Sequence, residues 1–233
     1  MTLRGENRDR AMSARVGMIT IGQSPRSDVV PEISALVGHP IRVVEAGALD
    51  GLGPEGVRAL APGPADETLV TRMADGTEVQ VAKRHIIPRI QACIHRLTPE
   101  VDALVLLCTG RFPDFDSARP LLEPQGLVDR VVQAVAGPGG PVGVMVPAAA
   151  QVEGSRRQMA SYGLTATVEV ASPYAGGDEV RRAAERFGGT NVSVVVMHCI
   201  GYTAAMKAEV RRVGGKPVIL ARSIVGKVLE ELL

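Results

Sequence analysis

Short apolar runs recur along the chain, each followed by an amphipathic stretch, and that rhythm restricts the fold more than any other feature. "RVGMITIG" (15–22), "PIRVVEAGAL" (40–49), "ALVLLCTG" (103–110), "VGVMVP" (142–147), "TATVEVAS" (165–172), "VSVVVMHCIGYT" (192–203) and "KPVILA" (216–221) are the runs. Most are too short for helices and lack the strict alternation of a strand with one wet face. They read as strands buried on both faces, joined by crossover helices, which is the pattern of parallel sheet in an α/β fold.

The spacing predicts helices over 26–38, 86–97, around 117–136 and 148–162, then over 178–188, 203–215 and 223–233. In "IIPRIQACIHRL", Ile87, Ile90, Cys93, Ile94 and Leu97 share one helical face, with Pro88 tolerated in the first turn. Cys93 is therefore a core residue. The rhythm breaks once, at 67–83. There Asp75-Gly76 sits between two strand-forming runs and signals a β-hairpin.

No composition shift cuts the chain, yet 131–233 repeats the rhythm of 15–130 without repeating its residues. The simplest architecture is two similar α/β lobes, each a mostly parallel sheet flanked by helices. Residues 14–117 plus 216–233 are expected to form lobe 1, and 118–215 lobe 2. The polar segment 1–13 is expected to be a flexible tail, neither signal peptide nor anchor.

Composition narrows the function. A formal net charge of +1, no tryptophan and only three each of Phe and Tyr argue against a nucleic-acid partner. The Arg pairs at 156–157, 181–182 and 211–212 read as solvated helix faces. No apolar run approaches the length of a membrane span. Three cysteines with no CxxC spacing point away from a disulfide framework or a metal site and toward a reducing, cytoplasmic compartment. No GxGxxG follows the first strand, and neither GxxxxGK[ST] nor GxSxG occurs, so a nucleotide cofactor and an α/β-hydrolase elbow are unsupported.

The strand ends carry the chemistry. In open parallel sheets ligands collect beyond the carboxyl ends of strands, where helix N-termini favour anions. The polar groups expected there are Ser24, Arg26, Cys108, Thr109, Gln151, His198, Cys199, Tyr202, Thr203 and Ser223, with backbone N–H groups near Gly110 and Gly201. Arg26 offers a bidentate contact to a carboxylate. Cys108 and Cys199 each end a buried strand, one in each half, and each is followed two residues later by glycine. Such a setting suits an ionisable thiol. Because neighbouring strand residues face opposite ways, His198 need not touch the thiol beside it. His39, His85 and His95 form no constellation.

At these residues the chain resembles the aspartate/glutamate racemase superfamily, and its AroM branch in particular. "LLCTG" and "MHCIGYT" stand where the superfamily carries its two cysteines. The AroM resemblance rests on "TIGQSPRSDVVPEI", "GALDGL", the hairpin before "KRHIIPRI", "VGVMVP" and "HCIGY". The superfamily resemblance implies an α/β fold of two pseudosymmetric lobes with the active site in the cleft between them, and two thiols on opposite faces of a substrate α-carbon, one removing a proton as thiolate and the other delivering one. Ser24, Thr109 and the N–H groups near Gly110 and Gly201 would hold the carboxylate. No metal or pyridoxal phosphate is implied. Thr-Gly follows Cys108 where the racemases have Asn-Thr, and Ile-Gly-Tyr follows Cys199 where they have Thr-His. Aspartate or glutamate specificity therefore does not carry over, and another small acid or a hydantoin is equally open.

The expectation is a cofactor-independent racemase or isomerase of a small carboxylate, with Cys108 and Cys199 catalytic. Two alternatives stand beside it. One is a single-cysteine decarboxylase or cis-trans isomerase; the other is a non-catalytic metabolite-binding protein linked to aromatic amino-acid metabolism. No nucleic-acid or membrane partner is expected, and a homodimer is left open.

Overall fold

The computed structural model describes residues 13–233, so the expected tail lies outside the described residues except for Ser13. Two four-stranded sheets and one hairpin organise the chain. The first sheet has the order β2-β1-β5-β6, with β1 (Arg15–Thr20), β2 (Arg42–Gly47), β5 (Ala103–Leu107) and β6 (Leu121–Leu122) all parallel. The second has the order β8-β7-β9-β10, with β7 (Pro141–Val146), β8 (Thr165–Val170), β9 (Val194–Met197) and β10 (Val218–Leu220), again all parallel. Each sheet thus has the same plan, with β1 matching β7 and β5 matching β9. The hairpin pairs β3 (Thr68–Arg72) with β4 (Glu78–Ala82) in antiparallel register. Gly76 takes φ +92° in its turn, a conformation that favours glycine.

Alternate strand residues explain the layers. In β1, Val16 and Met18 face one cluster with α1 (Val30–Ser34) and the last helix, α8 (Ala221–Leu232). Ile19 faces the other, with α3 (Lys83–Leu97). In β7, Val142, Val144 and Val146 pack under α4 (Pro124–Ala136) and α5 (Val152–Ser161), whereas Met145 meets α6 (Gly177–Gly188) and α7 (Ala204–Gly214). The short α2 (Pro54–Arg58) completes the helices among the described residues.

Two helices cross over. α4 leaves β6 of the first sheet, yet Val128 and Val132 pack on the second. α8 leaves β10 of the second sheet, yet Val225 and Leu229 pack on the first. This exchange ties the lobes together. By helix packing, 221–232 serves the first lobe. By strand pairing, β10 belongs to the second sheet and β6 to the first.

Other boundaries move for identifiable reasons. The helix expected around 117–136 starts at Pro124, because Leu104 N–H bonds to the Pro120 carbonyl and Leu121 pairs with Leu104. The helix expected over 26–38 contracts to 30–34, after a turn in which the Arg26 carbonyl accepts from Val29 and Val30. α3 begins at Lys83, so its buried face is Ile86, Ile90, Cys93, Ile94 and Leu97, with Ile87 only half-buried and Pro88 beyond the first turn. Among the described residues, no helix is long and apolar enough to cross a membrane.

Candidate active site

Cys108 follows β5 and Cys199 follows β9, the same position in each sheet. Both are buried, and both line a single cleft of about 540 Å³ together with Arg26 and Tyr174. The first sheet supplies the loops after β1 and β5, and the second those after β7, β8 and β9. The hairpin contributes Thr68–Thr71. Each sulfur accepts an N–H from the glycine two residues on, Gly110 at 3.2 Å and Gly201 at 3.4 Å.

Those N–H groups favour a thiolate, but burial works against it. Burial pushes the Cys108 thiol up to about 12, against the opposing pull of Gly110 N–H, Arg26 and Lys83, while the Cys199 charge adds to the rise. Burial also raises Cys199, opposed by Gly201 N–H, Arg26 and Arg222. Each thiol thus registers the cation at Arg26. Burial favours the thiol form of both.

Arg26 is only 2 % exposed, and four of its five N–H donors are committed. Its Nε and Nη2 grip Asp28 at 2.8 Å each, Nη1 reaches Thr20 Oγ1 at 3.0 Å, and Nη2 also reaches the Tyr174 hydroxyl at 3.1 Å. Burial would lower its pKa, but the Asp28 bond and the charges around it outweigh that and raise it. The fork expected to clasp a substrate carboxylate is therefore already closed on Asp28.

A family model described as AroM protein matches residues 16–233. The chain belongs to the AroM family. No curated protein sequence matches it. Solved structures show the same fold at low identity. A maleate isomerase from Pseudomonas putida S16 is 15% identical, with a TM-score of 0.59 over 94% of this chain and 92% of that one. An allantoin racemase from Pseudomonas fluorescens is 13% identical, with a TM-score of 0.59 over 94% and 90%. An unliganded arylmalonate decarboxylase is 15% identical, with a TM-score of 0.57 over 94% and 92%. The fold of this AroM-family chain is thus one shared by racemases, an isomerase and a decarboxylase.

Of the other expected site residues in this AroM-family chain, Thr109, Gly110, Gln151 and His198 line the cleft. Thr109 Oγ1 donates to the His198 carbonyl at 3.2 Å and links the two strand ends. Gln151 accepts from Ala148 N–H at 3.2 Å and reaches the Thr68 carbonyl at 3.5 Å, spanning lobe 2 and the hairpin. His198 Nε2 meets Asp129 Oδ1 at 3.1 Å, and Asp129, fully buried on α4, also accepts from Gln125 and Gln158.

The remaining expected residues do other work and do not line the cleft. Ser24 donates to Asp50 through both its N–H, at 2.8 Å, and its hydroxyl, at 2.7 Å. Gly201 gives its N–H to the Cys199 sulfur. Tyr202 is buried in the core of the second lobe, its hydroxyl on the Ala171 carbonyl at 2.5 Å. Thr203 caps α7 by accepting from Met206 N–H at 3.2 Å. Ser223 lies within α8, because the helix begins directly at the end of β10.

Sequence reasoning missed Tyr174, Asp28, Asp129 and the hairpin's part in roofing the cleft. The one available signal for Tyr174 was its place in the loop after a parallel strand, "SPYAGG".

Proposed function

We propose that the chain is a cofactor-independent racemase or isomerase acting at the α-carbon of a small carboxylate, with Cys108 and Cys199 as its proton-transfer groups. The observation that carries this reading is the placement of both thiols at equivalent strand ends lining one cleft. Inversion at carbon needs a base on one face and an acid on the other, since one base returning its own proton gives retention. One sulfur, as thiolate, takes the α-proton; the electron pair passes to the carboxylate as an enediolate; the other sulfur delivers its proton from the opposite face. Thr109 and Gln151 are the proposed substrate contacts, the Gly110 N–H being held by the Cys108 sulfur. Three unpaired cysteines fit a reducing, cytoplasmic setting.

A second reading has its own support. A thiol of pKa about 12 is ionised in only about one molecule in 10⁵ at pH 7. A site that holds thiols at rest suits an acid, and a decarboxylase needs only one acid to protonate the carbanion left by CO₂. One experiment separates the readings. The wild type is incubated in D₂O with L-aspartate, L-glutamate, L-malate, 5-methylhydantoin, allantoin and phenylmalonate. α-Proton exchange is followed by NMR, and CO₂ is measured in parallel. Racemisation lost in both Cys108→Ser and Cys199→Ser supports the two-thiol reading. CO₂ release that survives loss of one thiol supports the other. Ligand-induced thermal shifts with no turnover would indicate a binding protein instead.

A further inference from the structure

Tyr174 lines the cleft with a role that the two thiols do not fill. It leaves β8 through Ala171–Pro173, a turn fixed from two sides. The Tyr202 hydroxyl holds the Ala171 carbonyl, and the Ser172 hydroxyl, which accepts Tyr174 N–H at 3.1 Å, donates to Glu78 of the hairpin. Arg72 lies over its ring at 5.7 Å. The phenol oxygen lies directly over Gly201, where a Cβ would come within 2.5 Å of it, so the glycine two residues past Cys199 makes room for this hydroxyl.

That oxygen accepts from Arg26 Nη2 at 3.1 Å, and its own O–H proton has no acceptor among the described residues. Arg26 cannot clasp an anion with its fork, which Asp28 occupies. One of its remaining N–H groups bonds the phenol oxygen instead. A cation bonded to a hydroxyl oxygen polarises the O–H and strengthens the hydrogen bond it donates.

We propose that Tyr174 is a catalytic residue of this cleft. Backed by Arg26, it donates its O–H to the carboxylate or carbonyl oxygen on which charge collects as the α-proton leaves. The proposal rests on the proton-transfer reading above and adds the group that stabilises its intermediate. The α C–H bond breaks, its proton goes to one sulfur, its electron pair moves onto the oxygen held by Tyr174, and the second sulfur's proton closes the new C–H bond. Arg26 is a positioning residue, acting through the phenol. Burial, with the nearby Cys199 charge, raises the phenol's pKa, so it remains a donor throughout the neutral range. A donor aimed at developing charge differs from one that only binds substrate, because its loss falls on kcat.

The test is Tyr174→Phe, which keeps the ring under Arg72, assayed in the full chain with whichever panel compound the wild type turns over fastest. Expected is a fall in kcat of about 100-fold or more with KM nearly unchanged, the size seen when one oxyanion donor is removed. Retention of most of the wild-type kcat, or a loss confined to KM, overturns the assignment while leaving the two-thiol reading intact. A wild type inert toward every compound fails the proton-transfer reading itself, and this proposal falls with it. Should Tyr174→Phe not fold, 3-fluorotyrosine placed at 174 gives a second readout. Its ¹⁹F resonance is expected to shift on saturation with that compound, and an unmoved resonance overturns the proposal.

Discussion

Past Leu107 the chain runs from Cys108 to Pro120 before it pairs again at β6, whereas past Met197 it needs only His198–Thr203 to reach a capped helix. The two exits occupy the same position in matching sheets, yet they are held differently. Arg222, fully buried at the start of α8, donates to the Ile200 carbonyl at 2.9 and 3.1 Å, the Gly201 carbonyl at 3.1 Å, the Asp28 carbonyl at 3.0 Å and Glu32 at 2.7 Å. Glu32 in turn accepts the Ala204 N–H at 2.8 Å. No comparable cation clamps the Cys108 exit among the described residues; Asp116 on Gln91 is the main tie of its far end. Topological symmetry therefore delivers two thiols to one cleft, while the surrounding charges separate their characters. Both thiols share the charge of Arg26; Cys199 sits on a short turn with Arg222 as its second cation, and Cys108 sits on a longer loop with Lys83 as its second.

That contrast can be broken in the order of expected size. Arg222→Met is expected to cost about 3–5 kcal/mol by urea unfolding, because it strands buried carbonyls and a carboxylate. Arg111→Met, exposed at the other exit, is expected to change stability by less than about 0.5 kcal/mol. Equal costs would deny the asymmetry.

The Cys108 thiol supplies a pH test. Its folded pKa lies above its ordinary 9.0, so the folded chain keeps a proton that the unfolded chain sheds. The resulting stability is complete below about pH 9 and is lost as pH rises toward about 12. It amounts to at most about 4 kcal/mol. Cys108→Ser should flatten that part of the alkaline stability curve, and an unchanged slope would contradict the burial argument.

A third comparison uses the central strands, "RVGMIT" and "PVGVMV", each with glycine at its third position. A Cβ at Gly143 would meet the Phe187 ring at 2.9 Å and Val195 at 3.0 Å, whereas one at Gly17 would meet only the terminal methyls of two leucines within 3.1 Å, Leu104 at 2.6 Å and Leu97 at 3.1 Å. Gly143→Ala is expected to cost about 1–3 kcal/mol, and Gly17→Ala less, by the same unfolding assay. A smaller change than Gly143→Ala is Thr109→Val, which removes the one bond from that hydroxyl to the His198 carbonyl. It should cost about 1 kcal/mol.

The apolar runs revealed the strands, and their shared ending in cysteine revealed the pair of thiols, because burial on both faces leaves a strong local signature. The hairpin was equally legible in Asp75-Gly76. β6 was not, since two leucines that pair only through Leu104 and Val105 carry no signal of their own. Among site residues, Arg26 showed as a cation at a strand end, but its capture by Asp28 depends on a loop geometry that spacing does not encode. Tyr202 drew notice by standing near Cys199. The phenol at the cleft is instead Tyr174, brought there from another strand by the sheet order β8-β7-β9. Ser24, Thr203 and Ser223 have the right chemistry at the right ends, and local bonds or a helix interior take them out of the cleft.

The central claim, two thiols working from opposite faces of one carbon, is tested most directly by isotope pattern. One enantiomer of a turned-over compound is converted in D₂O, stopped early, and both enantiomers are analysed. Two opposed thiols predict deuterium in the product enantiomer and none in the remaining starting enantiomer. Deuterium appearing equally in both from the first turnovers would contradict the account.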